Sequence, residues 1–174
     1  PARLTTEEGL RKELNSLTKD YYTVADSFSK MYAAKDLDSG PGDMAIIFNY
    51  MRLLDPGSTV REGEYATAEN ARGIDDDLRA TYNKLVDGSP LTPNQRADFL
   101  DSSLKMYEAA HFSAKTHADA YKQIAIEAGV SPERVAMVYQ SRADALSGAT
   151  AVRPDFENEA AAQAALEAGE IQPG

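Results

Sequence analysis

Residues 5–35 read TTEEGLRKELNSLTKDYYTVADSFSKMYAAK, and within them Leu10, Leu14, Leu17, Tyr21, Val24, Phe28 and Met31 alternate spacings of four and three. That alternation is the narrow seam of a coiled coil held for three heptads, so the stretch reads as one long helix with a single apolar stripe. Thr5 and Glu8 have the spacing of a capping box, which sets the start at Thr5 or Thr6; the helix is expected to run to about Lys35. Most of the stability of such a helix comes from a second surface covering the stripe. Two partners are open: a helix of the same chain in an antiparallel hairpin, or a second copy of the protein. The seven seam residues are therefore interaction candidates.

A helix of matching length lies in the second half. Thr92-Pro93-Asn94-Gln95 is a strong start, with Thr as cap, proline in the first turn where its missing amide costs nothing, and Gln95 completing the box. Phe99, Leu100, Leu104, Tyr107, Ala110, Ala114, Ala118, Tyr121, Ile124 and Ala125 then recur at three and four, and Gly129 is placed for a left-handed cap. At about 1.5 Å per residue this helix spans roughly 50 Å and the first about 45 Å, which favours their lying side by side. Ala110, Ala114 and Ala118 form a small-residue ridge that aromatics on the facing helix can fill.

Shorter helices fill the rest. Ser39-Gly40-Pro41-Gly42 breaks the first helix. Asp43 can cap the next, whose residues to Leu54 are too apolar to face water on any side, and Asp55-Pro56-Gly57 stops it. Further short helices are expected over Arg61 to Asn70 and Gly73 to Asp87, the latter with Ile74, Leu78, Tyr82 and Leu85 on one face and Gly88-Ser89-Pro90 closing it. Another opens at Ser131-Pro132-Glu133. Ser147 to Asp155 reads as a linker, and Glu157 to Ala168 as a marginal Ala/Glu-rich helix that Phe156, Leu166 and Ile171 could dock weakly on the body or on a neighbouring subunit. The expected architecture is all-α: two long antiparallel helices packed with three or four short ones in a domain over residues 1–146, then a linker and flexible acidic tail over 147–174.

The segment Gly40 to Asn70, GPGDMAIIFNYMRLLDPGSTVREGEYATAEN, resembles segments of tailed-bacteriophage virion proteins. The resemblance continues through Ile74 to Lys84 and the Leu91-Thr92-Pro93-Asn94-Gln95-Arg96 segment, and covers roughly residues 8–145. It implies a structural protein of a virion, often an internal virion or DNA-ejection protein; relatives of that kind are sometimes joined to peptidoglycan-cleaving domains.

The 174 residues suffice for one core, since a domain of this size buries roughly 70% of its unfolded surface. The balance of 18 basic and 28 acidic residues is net −10, and Asp155, Glu157, Glu159, Glu167 and Glu170 put half of that excess in the last stretch without a base. An acidic chain argues against direct or sequence-specific nucleic-acid binding, which needs clustered Lys and Arg. The acidic end reads as a solubilising tail or as a partner-binding one. Without cysteine there is no disulfide framework or thiolate zinc site. No apolar run approaches the roughly 20 residues of a transmembrane helix, and no basic-then-apolar leader precedes Thr5. Pro1 is compatible with removal of an initiator methionine and equally with processing in a virion.

No motif for chemistry emerges. His111 and His117 are six apart, roughly 120° from each other around a helix, which is wrong for a shared metal. Glu62 and Glu64, beside Arg61 and Tyr65, are the one carboxylate pair to weigh as a glycosidase acid and base, but acids two apart diverge on a helix. Arg61, Glu62 and Glu64 are better read as ion-pairing interaction candidates. Asp75-Asp76-Asp77 lacks the spacing of a calcium loop and suits the first turn of a helix, where negative charge meets the positive end of the dipole. Phosphate-loop, dinucleotide and serine-elbow motifs do not occur.

These readings point to assembly rather than catalysis and imply no cofactor. The expected protein is a homo-oligomer located in the virion, contacting portal or tail components and present in multiple copies. An acidic channel wall in such an assembly would let DNA slide without sticking. The alternatives are a peptidoglycan-acting enzyme or its targeting module, and a neck, tail or capsid-stabilising protein.

Overall fold

The computed structural model describes residues 2–57 and 76–149, and the regular elements within them are all helices. In chain order they are α1 (Ala2–Leu17), α2 (Lys19–Ala33), α3 (Gly40–Leu54), α4 (Asp76–Val86), α5 (Pro93–Glu127) and α6 (Pro132–Ala149). The expected helix over 61–70, the residues Ile74 and Asp75, and the acidic stretch 150–174 lie outside the described residues.

The first long helix starts at Ala2 rather than Thr5 and is interrupted once, at Thr18. There the Thr18 hydroxyl and the Thr18 amide both donate to the Leu14 carbonyl, at 2.9 and 3.0 Å, and a side-chain bond of this kind bends helices. Together α1 and α2 act as one long arm against α5. The pairing is antiparallel: as numbers rise along the first arm, from Tyr21 on His111 to Phe28 on Tyr107 and Leu37 on Arg96, they fall along α5.

The expected box at the start of α5 is present, with the Thr92 hydroxyl accepting from the Gln95 amide and the Gln95 side chain accepting from the Thr92 amide. Beyond its end Gly129 takes a φ of 67°, in the left-handed region that glycine enters without a Cβ penalty. The chain reverses there, and Ser131, whose hydroxyl accepts from the Arg134 amide, starts α6. This helix is longer than expected and carries the chain through Ser147 to Ala149, residues assigned to a linker from composition. It runs back along α5 and α1, so α1, α5 and α6 make a three-helix bundle at one end.

At the other end α3 and α4 complete the core. Helix α3 begins at Gly40, three residues earlier than expected, because Ser39 supplies the cap by accepting from the Gly42 amide. Its apolar character is used on several sides: Ile46, Ile47, Met51 and Leu53 are buried, with Met44, Phe48, Tyr50 and Leu54 packed beside them. Full burial of each such side chain favours folding by roughly 1.5–3 kcal/mol over leaving it in water. Helix α3 lies against α2 and α5, and α4 covers α3 through Leu78, Tyr82 and Leu85.

Candidate functional site

The seam residues of the first arm fall mostly inside the protein. Leu14, Tyr21, Val24, Phe28 and Met31 are buried and Leu10 is half-buried. Leu17 is the exception at 48% exposed, because the buried side chain between Leu14 and Tyr21 is Thr18. Seven-residue spacing admits either path, four then three or three then four, and the structure takes the first.

At the centre of the seam the rings converge. Tyr21 is flanked by Tyr22, Tyr107, His111 and Tyr139 at centroid distances of 5.5, 6.4, 5.6 and 6.2 Å. Phe28 stacks on Tyr107 at 4.9 Å. On the alanine ridge of α5, Ala114 and Ala118 are buried. The Tyr21 hydroxyl and His111 Nδ1 are 3.1 Å apart. Burial pushes the Tyr21 phenol above its usual range, with neighbouring Tyr107 adding to it, and burial does the same for Tyr139. The cluster is therefore a set of neutral hydroxyls that tie α2, α5 and α6 together.

Asp43, expected as a cap, does something else. It is fully buried within the first turn of α3, and its carboxylate accepts from the Leu91 amide at 2.9 Å and from the Arg96 guanidinium. Arg96 also donates to the Leu37 carbonyl at 2.8 Å and approaches Asp38. Two charged residues from distant parts of the sequence thus fasten the α2–α3 turn to the start of α5. Sequence spacing carries no signal for a pair separated this far along the chain.

Surface clefts border the first arm, and two of them involve residues singled out above. One is lined by Leu17, Asp20, Pro56, Ala110 and Ser113, and gives the outlying seam residue its surroundings. The second is a groove of ≈ 360 Å³ between α1 and α6, lined by Lys12, Asn15, Ser16, Lys19, Tyr22, Val138 and Arg142. Its ionisable side chains other than Tyr22 are all basic, although the chain as a whole is acidic. The Arg142 guanidinium lies 4.4 Å from the Tyr22 ring centre, a cation–π contact. On the rim Lys12 bonds Glu8 at 2.8 Å, which holds the Glu8 carboxyl below the usual carboxylate range. The seven-residue step from Lys12 in α1 to Lys19 at the start of α2 and the four-residue step from Val138 to Arg142 on α6 are visible in the sequence, but their meeting is not.

Among the described residues no group of His, Asp and Glu is placed to hold a metal ion. His111 is engaged with Tyr21, and His117 lies half-buried six positions on. Asp76 and Asp77 are exposed in the first turn of α4, as helix-dipole complementarity predicts. Arg61, Glu62 and Glu64 lie outside the described residues. No described helix is long and apolar enough to cross a membrane. No known protein family, no curated protein and no solved structure matches this chain.

Proposed function

We propose that this protein is a structural component of a bacteriophage particle, an internal virion or DNA-ejection protein that works by assembly in multiple copies rather than by catalysis. The source is supported by the resemblance carried by residues 40–70. The observation that carries the assembly reading is the set of large apolar side chains left at the surface: Phe112 is 73% exposed, with Leu4, Ile126 and Met137 more than half exposed. Phenylalanine and methionine are among the residues enriched at protein interfaces. Leu17 adds the one seam position that the chain does not use internally.

Light scattering of the purified protein over a concentration series tests this. The expected outcome is a discrete oligomer that Phe112→Ser or Leu17→Ser shifts toward monomer without altering the circular dichroism. A monomer at every concentration removes self-assembly from the reading. Clearing of a peptidoglycan suspension by the wild-type protein would replace it with an enzymatic one.

A further inference from the structure

We infer that the basic groove between α1 and α6 is the docking site for an acidic peptide, and that its occupant is this chain's own acidic stretch, residues 155–174. The inference does not depend on the particle reading.

The groove has the chemistry for an extended acidic peptide. Lys12 and Lys19 project from one wall and Arg142 from the other, and no carboxylate lines the space between. Lys12 in α1 and Lys19 at the start of α2 are seven residues apart along the first arm, about 10 Å at the rise of a helix, so the positive edge is long enough for more than one carboxylate. Tyr22 and Val138 supply an apolar floor between the charges. A peptide that carries apolar as well as acidic side chains meets both the cations and this floor, whereas a phosphodiester backbone meets the cations alone.

The stretch 155–174 matches in composition. It carries Asp155, Glu157, Glu159, Glu167 and Glu170 and no base, and Phe156, Leu166 and Ile171 are interspersed with them. It is also attached in the right place. Helix α6 forms one wall of the groove and carries the chain only about 10 Å past Arg142 before Ala149. From there residues 150–174 reach up to roughly 80 Å at full extension, so a return to the groove requires no rearrangement of the bundle. Tethering over so short a span presents the acids at an effective concentration on the order of millimolar, above any free acidic peptide.

The test uses the full chain and its lack of cysteine. A nitroxide attached through Ala168→Cys is unique in the molecule. The expected result is selective loss of amide NMR signal along Lys12–Lys19 and Val138–Arg142, relieved in about 1 M salt, where the screening length falls to about 3 Å. Lys19→Glu with Arg142→Glu should restore the signal, as should Glu167→Gln with Glu170→Gln. Signal loss absent from the groove, or unchanged by salt and by the Glu-to-Gln pair, overturns the proposal. A mixture of nitroxide-bearing chains with isotope-labelled, nitroxide-free ones separates the source: broadening there places the stretch in a neighbour's groove and overturns the in-chain assignment. Groove amides that ignore the nitroxide but shift on adding a single-stranded oligonucleotide give the site to nucleic acid instead.

Discussion

Asp43 and Arg96 show how one pair of residues can hold two parts of the fold. Asp43 is 0% exposed and Arg96 12%, so their charges are out of water and each depends on the other. Arg96→Ala leaves the buried carboxylate, among the described residues, with the Leu91 amide alone, and is expected to cost about 3–5 kcal/mol in denaturant unfolding. Asp43→Asn keeps an acceptor for Leu91 and should cost less than the loss of the arginine. Leu14 and Leu17 make the complementary comparison, because both belong to the same sequence stripe. Leu14→Ala opens a cavity in the core and should lose about 2–5 kcal/mol. Leu17→Ala removes a side chain that a single chain leaves exposed, so at concentrations where the protein is monomeric it should stay within about 0.5 kcal/mol. At concentrations where the proposed oligomer forms, the loss at Leu17 should grow, because a neighbouring copy covers it there.

Among the elements, α5 depends on its first turn. Thr92 and Gln95 satisfy amides that otherwise have no partner, and Pro93 places no amide where one would be wasted. Thr92→Ala is expected to cost about 1 kcal/mol in a thermal or urea melt, with Thr92→Ser restoring most of it. The first arm behaves differently at Thr18, where a hydroxyl bound to the Leu14 carbonyl and to the Tyr22 hydroxyl interrupts what periodicity reads as one helix. Helix starts were legible in the sequence where the capping group is local, at Thr92 and at Ser131. The start of α3 was misplaced because Ser39 and Asp43 are both competent caps. Which one turns toward its own helix depended on Arg96 and Leu91, which compete for the carboxylate from far along the chain.

For the molecule as a whole, Tyr21 and Tyr139 lie where α2, α5 and α6 meet, so their ionisation is coupled to global unfolding. Their phenols titrate near 10.0 in water and are raised in the folded protein by burial. The unfolded chain therefore releases these protons first as pH rises. Stability from this source is complete below pH 10 and declines above it, so the melting temperature should hold level up to that point and then fall. Tyr21→Phe should reduce the steepness of the fall, and a melting temperature indifferent to pH between 10 and 11 would contradict the burial of these hydroxyls. The all-helical class, the two matched arms and their antiparallel pairing followed from period, capping and length, all of which act within a few residues of one another. The choice of Thr18 over Leu17 for the core, the ion pair of Asp43 with Arg96 and the basic groove between α1 and α6 belong to the folded arrangement. Each depends on groups brought together from distant positions, where burial and the loss of solvating water, rather than local spacing, set which contacts prevail.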